Sequence, residues 1–422
     1  MYLKDIEVFL TKDKKHIIDI FSGEIFMLES DVEFLKVYEN KEYTNENEKD
    51  VYDFIISNLK RKEKKRRTPT IKEVDTIRIN VSNACNLSCK YCYAGGGNYG
   101  FNNSLLNLKV AEEIVDFIKK YMNHINTIFF FGGEPLLNIE AIEYICKEFP
   151  EKKFSLITNG TILNDDIIKV IKSHQIKIAI SIDGPKEIHD LNRITNDNKP
   201  TFDIVTANIK KLKKNNINGV SLQSTFTSYI NKTMSKDDLI EFFDNNFDFR
   251  YLTIGDDIND KNLEYYENKD IIVKYIKEKN KVIAGITNNA LLSIKTHHRR
   301  ENKCGASNNM ILIYPSGDIY PCQMFIGDSE HKLENIHNFN IEKFNFNRRK
   351  FNQTFLENEK CDECLAKYIC DICPKNISNI ETETCNKIVN YCNEIYNELP
   401  MYAKDIFLMN KIESLYTIEA EA

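Results

Sequence analysis

Asn83-Ala84-Cys85-Asn86-Leu87-Ser88-Cys89-Lys90-Tyr91-Cys92-Tyr93-Ala94 sets three cysteines at C-x3-C-x2-C spacing, directly after a strand-like run, Thr76–Val81. Three soft thiolates suit an iron–sulfur cluster and leave its fourth iron without a protein ligand. Asn and Ser between the cysteines keep the loop polar and pliable enough to wrap a cluster, and Tyr91 and Tyr93 add aromatic cover. A three-Cys zinc site or a set of buried thiols is the plainer alternative, because cysteine is among the residues most often fully buried.

Working outward, the 422 residues exceed one minimal core and divide into three stretches, 1–68, 69–295 and 296–422. The net charge of −6 argues against a general polyanion binder. The basic run Lys60–Arg67 therefore reads as a solvated linker, and no nucleic-acid partner is expected. Lys4, Asp5 and Glu7 interrupt the first apolar residues, which predicts no signal peptide, and the longest apolar runs are of strand length, which predicts no membrane span. Twelve cysteines in such a chain point to metal rather than disulfides, and to a reducing, anaerobic cytoplasm.

From Thr76 to Gly255 short apolar strands alternate with amphipathic helices. The strands expected are Thr76–Val81, Thr127–Phe131, Phe154–Thr158, Ile176–Ile182, Gly219–Phe226 and Arg250–Ile254; Leu108–Tyr121 is a clear helix, striped by Val110, Ile114, Val115, Phe117 and Ile118. Such repetition predicts an α/β fold, a parallel sheet covered by helices, with the loops at the strand carboxyl ends free for chemistry. Those loops are polar or glycine-rich: Phe131-Gly132-Gly133-Glu134-Pro135, Leu156-Ile157-Thr158-Asn159-Gly160 and Ala179-Ile180-Ser181-Ile182-Asp183-Gly184-Pro185. Glycine is needed where backbone approaches a ligand closely, and Glu134 offers an acceptor to an ammonium; taken singly, each is also an ordinary strand-ending turn.

Together these segments resemble the radical S-adenosylmethionine (SAM) superfamily. The resemblance implies a partial (β/α)6 barrel and an open iron that holds the amino and carboxylate groups of SAM. It assigns Cys85, Cys89 and Cys92 to that cluster, Tyr93 to the adenine side, and Gly132, Gly133 and Glu134 to the SAM amino group. Ser181 and Asp183 would face the ribose, methionyl or substrate side. Arg193, in Glu187-Ile188-His189-Asp190-Leu191-Asn192-Arg193, would reach the SAM carboxylate, with His189 and Asp190 matching a peptide-modifying pattern.

Cysteines resume at Cys304, Cys322, Cys361, Cys364, Cys370, Cys373, Cys385 and Cys392. Cys304, Gly317 and Cys322 resemble the C-x9-15-G-x4-C opening of the SPASM domain, and Cys361-x2-Cys364-x5-Cys370 continues it. By that resemblance Cys304, Cys322 and Cys373 hold a first auxiliary [4Fe-4S] cluster, while Cys361, Cys364, Cys370 and Cys385 hold a second. Only Asp371 and Ile372 separate Cys370 from Cys373, where the family has three residues; Cys392 either completes the first cluster or leaves it an open iron. Zinc knuckles are the alternative use of the C-x2-C pair. Cys146 lies on the apolar side of a helix and reads as core.

At the amino terminus, strand-like Glu7–Leu10, His16–Asp19 and Glu24–Leu28, then helical Asp31–Tyr38 and Asn47–Leu59, are similar to the recognition domain that grips precursor-peptide leaders as an added strand; a capping or dimerisation module would look the same. Tyr91–Gly100 and Cys361–Cys370 resemble maturases of Cys-rich ranthipeptides, which implies thioether formation in a Cys-containing precursor peptide with a leader, SAM with three [4Fe-4S] clusters, and an external donor such as flavodoxin or ferredoxin. An anaerobic sulfatase maturase is the nearest alternative, and another peptide crosslinking or epimerising radical SAM reaction is the next. In the sulfatase maturases an Asp proposed as base follows the Cys of G-x4-C, whereas Gln323 follows Cys322 and cannot take a proton at neutral pH. A non-catalytic electron carrier would need neither Glu134 nor an open iron.

Overall fold

The computed structural model describes residues 1–28, 34–64, 69–257, 260, 266–296, 304–356, 359–370, 373, 375 and 382–421. A four-stranded antiparallel sheet opens the chain, in the order β1 (Tyr2–Leu3), β2 (Val8–Leu10), β3 (His16–Asp19), β4 (Ile25–Met27). Helices α1 (Phe34–Asn40) and α2 (Glu46–Lys64) follow. The three expected strands are present, joined by β1, whose two residues are too few to carry a period. Side chains alternate across this sheet: Val8, Leu10 and Ile17 pack with Phe34, Val37 and Ile55, whereas Phe9 and Ile18 join the main core.

The start of the basic run is helix rather than linker. Residues 60–64 extend α2, and Arg61 forms an ion pair with the buried Asp19, which gives its charge a partner off the surface. Residues 65–67 of that run, and 31–33 of the expected first helix, lie outside the described residues.

All six expected parallel strands form: β5 (Thr76–Ser82), β6 (Thr127–Gly132), β7 (Lys153–Thr158), β8 (Lys177–Ser181), β9 (Ser221–Phe226) and β10 (Tyr251–Asp256). They pair in that order. Between them run α3 (Leu108–Tyr121), α4 (Ile139–Glu148), α5 (Asp165–Ser173), α6 (Lys186–Asn192), α7 (Phe202–Lys214), the short α8 (Ser228–Asn231) and α9 (Lys236–Asn246). Helix α3 begins where Asn107 accepts the Lys109 N–H at 2.8 Å, and it buries Ala111, Ile114, Val115, Phe117 and Ile118. Ser235 and Asp238 form a reciprocal capping box on α9. On the strands Ile77, Ile79, Ile128, Phe130 and Leu222 are buried, while their neighbours Arg78, Phe129 and Gln223 on the other face are only half-buried.

The sheet does not stop at six strands. Beyond β10 lies β11 (Val282–Ile283), after α10 (Lys269–Lys274); α11 (Ile286–Thr296) follows. At the opposite edge β12 (Met310–Ile313) pairs in parallel with β5, and β13 (Asp318–Tyr320) and β14 (Glu334–Asn335) extend it antiparallel, giving ten strands and no closed barrel. Helices α12 (Ile341–Phe351), α13 (Glu359–Asp362), α14 (Thr382–Lys404) and α15 (Ile406–Glu421) complete the chain. Arg348 of α12 is fully buried and ties β12 down by donating to the carbonyls of Ser307 at 2.8 Å, Thr70 at 2.6 Å and Asn308 at 2.6 Å. Among the described residues, no helix is long and apolar enough to cross a membrane.

Candidate active site

Cys85, Cys89 and Cys92 are half-buried free thiols in the loop that leaves β5. The loop is held from two sides: Ser88 N donates to Ile194 O at 2.8 Å and Lys90 N to Asn192 O at 3.0 Å, while Gly133 N and Glu134 N donate back to Ser82 O at 2.8 Å and Ala84 O at 2.9 Å. Glycine is required at this junction. A Cβ on Gly97, whose φ is +93°, would lie 2.4 Å from Gly133 Cα, and one on Gly133 would lie 2.3 Å from Ala84 O.

Burial pushes the Cys85 thiol up to about 12, with Glu134, Cys89 and Cys92 adding to it, and burial raises Cys89 as well. Such thiols become thiolates only beside a compensating cation. Leu87 N–H and the Asn159 side-chain amide point at Cys85 Sγ, at 3.4 and 3.8 Å, the kind of donor that tunes cluster sulfur. Among the described residues no group of three or more His, Cys, Asp or Glu converges as on a single metal ion. The loop offers instead three half-buried sulfurs, two polar donors and a glycine-lined approach, a donor set that fits an iron–sulfur cluster with one iron left open.

Tyr93 is 44% exposed, its ring 6.2 Å from that of Tyr99. Glu134 is fully buried, and its carboxylate is spent internally: Thr158 Oγ1 donates to it at 2.7 Å, Asn159 N at 2.7 Å and Leu136 N at 3.0 Å. Burial pushes its carboxyl up to about 7 against the pull of those donors. What the Gly132-Gly133-Glu134 turn presents outward is therefore backbone, and the Glu134 side chain positions Asn159, which in turn faces Cys85.

Asp183 is likewise a fully buried hub. Arg193 Nε donates to it at 3.0 Å, Tyr91 OH at 2.7 Å and Thr225 N at 3.2 Å. His189 Nδ1 accepts the Asp183 N–H at 3.3 Å, and its Nε2 faces Thr201 Oγ1 at 3.0 Å. Asp183 keeps the guanidinium of Arg193 charged, its pKa raised in spite of burial, and the Tyr91 ring lies 5.3 Å from that guanidinium. Ser181 is buried at the end of β8. Asp190 accepts the Thr201 and Phe202 N–H groups and so fixes the start of α7. Tyr91, Thr158 and Asn159 do the holding here, and sequence reading gave Tyr91 only as cover; its place next to Cys92 was the available signal.

In the carboxyl-terminal third, Cys304 and Cys373 are the thiols that act on buried Cys322, whose own thiol burial pushes up to about 12 while Arg78 pulls it down. Ala306 N–H points at Cys304 Sγ at 3.4 Å. Cys361, Cys364 and Cys370 are half-buried along a tight turn in which Cys364 N donates to Cys361 O at 3.1 Å and Cys370 N to Ala366 O at 2.8 Å. Cys385 is exposed in the first turn of α14, and Cys392, two turns on, is fully buried. Tyr396, one turn further, is influenced by both Cys392 and Cys364. Cys146 is buried in the core on α4. Asp371 and Ile372 lie outside the described residues. Arg78 Nη1 donates to Gln323 Oε1, so the residue after Cys322 is engaged with a cation on β5. Asp328 pairs with His331 and Asp318 with Lys332.

The sequence pattern of the Radical SAM superfamily matches residues 79–245. The chain is 26% identical over 301 residues to the radical SAM cyclopropyl synthase TigE of Paramaledivibacter caminithermalis, covering 64% of this chain and 62% of that one. It thus spans less than two thirds of that relative. It is 30% identical over 326 residues to the cysteine-type anaerobic sulfatase-maturating enzyme of Clostridium novyi, covering 67% of this chain and 83% of that one. Among solved structures, native anSMEcpe with bound AdoMet superposes with a TM-score of 0.63 at 21% identity, covering 78% of this chain and 100% of that one. Streptococcus suis SuiB bound to precursor peptide SuiA gives 0.53 at 15% identity over 87% and 94%. At those identities the two structures speak for the fold.

Proposed function

The chain belongs to the radical SAM superfamily, alongside its SPASM-type maturases, and from that premise we propose that it forms a thioether in a Cys-containing, ribosomally made precursor peptide. One C–H and one S–H bond would be exchanged for one C–S bond: one hydrogen atom would go to the SAM-derived radical, the thiol proton to solvent, and the remaining electron to an auxiliary cluster. The observation that carries the reading is Gln323 beside Cys322, an amide engaged by the Arg78 guanidinium at the position where the sulfatase-maturase pattern has a base. Membership of a radical SAM maturase family does not depend on it.

SAM, held at the open iron of a [4Fe-4S] cluster on Cys85, Cys89 and Cys92, supplies when bound and reduced a carbon radical able to take a hydrogen atom. The chain's own part is placement. The Tyr93 ring would cover the adenine, the backbone of Gly132, Gly133 and Glu134 would receive the ammonium, and Arg193, oriented by Asp183, would meet the carboxylate, with Ser181 on the same side. Cys304, Cys322 and Cys373 hold a first auxiliary cluster and Cys361, Cys364 and Cys370 a second. Cys385 completes the second, and Cys392 either completes the first or leaves it an open iron. Residues 1–68 serve the leader, 69–295 the radical chemistry and 296–422 the auxiliary clusters, with electrons arriving from flavodoxin or ferredoxin in a reducing cytoplasm.

Formylglycine formation is the second reading, favoured by the 30% identity to a sulfatase-maturating enzyme. Gln323 weighs against it, since an amide held by a guanidinium does not accept a proton. Anaerobic incubation with the Cys-containing peptide encoded beside the enzyme, then thiol alkylation and tandem mass spectrometry, decides between them. Loss of two hydrogens with one Cys protected and a mapped linkage is expected. The same mass loss with every Cys alkylated overturns the thioether reading.

A further inference from the structure

Five residues of the cluster loop lie in the left-handed region of the backbone map: Gly95 at φ +58°, Gly96 at +80°, Gly97 at +93°, Tyr99 at +54° and Gly100 at +83°. Four are glycine, which takes that conformation without steric cost, and the fifth is bulky. Among the described residues Tyr99 is the one aromatic side chain at positive φ, where glycine would be the unstrained choice. The loop holds it there. Tyr99 N donates to Ala94 O at 2.8 Å, Gly100 N to Asn98 Oδ1 at 2.9 Å and Phe101 N to Asn98 O at 2.9 Å. Strain that neighbouring contacts maintain points to a side chain whose placement matters.

What the conformation achieves is a ring contact. Tyr99 is half-buried, and its ring meets that of Tyr93 edge to face, with centroids 6.2 Å apart and planes at 66°. Tyr93 is 44% exposed, so its ring would otherwise be free to change rotamer, and a neighbour fixed by the backbone removes that freedom. Cys92 acts electrostatically on both phenols, which sets the pair beside the cluster cysteines. We propose that Tyr99 is a positioning residue for SAM, holding the Tyr93 ring in the orientation that receives the adenine. This rests on the placement of Tyr93 given above and goes beyond it by naming what fixes that ring. Tyr99 acts through Tyr93 and needs no contact of its own with SAM or iron.

Equilibrium dialysis of reconstituted enzyme against SAM, with iron content measured alongside, tests this. Tyr99→Leu is expected to bind SAM about tenfold more weakly at unchanged iron, and Tyr99→Gly, which suits the backbone without strain, equally so. Tyr99→Phe keeps the ring and stays within about twofold of wild type. Tyr93→Leu weakens binding as much as Tyr99→Leu, and combining the two costs nothing further, because a residue that acts through another has no effect once that other is gone. Additive losses, or a loss in only one of the two single Leu variants, overturn the positioning role; if the one weakened is Tyr93→Leu, the placement of Tyr93 stands. Wild-type affinity in every variant sinks both. If Tyr99→Leu alone loses iron, Tyr99→Gly supplies the comparison. Loss of iron in both makes Tyr99 part of the frame of the cluster loop and also overturns the proposal.

Discussion

Protonating His189 would set an Nδ1 hydrogen against the Asp183 N–H that this nitrogen accepts, and would place a second cation beside Arg193. Burial first, and Arg193 second, therefore push His189 down to about 4 from an ordinary value of 6.5. The sign follows: between pH 6.5 and 4 the unfolded chain takes up the proton and the folded chain does not, so stability falls as the pH falls through that window. A shift of that size corresponds to roughly 3 kcal/mol. Chemical denaturation of the apoprotein at pH 7 and pH 4.5 should show a loss that His189→Gln, already lower in stability at pH 7, shows to a much smaller degree. Equal pH slopes in the two proteins would mean that His189 titrates freely.

At the scale of elements, the six parallel strands and α3 were legible because apolar period and capping residues coincide there with the hydrogen-bond pattern that forms. The edges of the sheet were not. Met310-Ile311-Leu312-Ile313 is a plain apolar run, and nothing in four residues says that they will pair with β5, more than two hundred positions earlier. Roles within the site were hidden for a related reason: spacing put Glu134 and Asp183 at strand ends, but whether a carboxylate faces a ligand or its own backbone depends on donors from β7 and β9. The β12 edge carries its own prediction. Arg348 satisfies three carbonyls from two distant segments, so Arg348→Met leaves buried acceptors without donors. It should lower stability by about 3 kcal/mol or more. Hydrogen exchange should accelerate in β12 and in β5, with β8 and β9 little changed; uniform acceleration across the sheet would deny β12 a separate role.

For the molecule as a whole, the amino-terminal unit is built into the cysteine-rich block rather than appended to it. Glu7, buried at φ +52°, accepts from Lys367 Nζ at 3.1 Å and from Tyr368 OH at 2.9 Å, between Cys364 and Cys370. Phe21 meets Tyr368 at 5.3 Å and Phe9 meets Tyr396 at 5.4 Å, while Gly23 rests against the backbone of Ser293, where a Cβ would come within 2.5 Å. Deleting residues 1–59 would expose that apolar face and leave Lys367 and Tyr368 without Glu7, so the deletion should cost iron in the Cys361–Cys370 region as well as peptide affinity. Loss of binding after deletion would then say nothing specific about the leader. The other side of the unit is better suited to the question: β4 is an edge strand with Met27 75% exposed and Phe26 edge-on to Phe54 at 4.7 Å, and an incoming strand needs only its free backbone groups. Met27→Pro alters that edge without touching Glu7, Phe9 or Phe21. Calorimetric titration with the leader segment should show at least tenfold weaker binding at unchanged iron content; unchanged affinity would exclude the β4 edge as the docking strand.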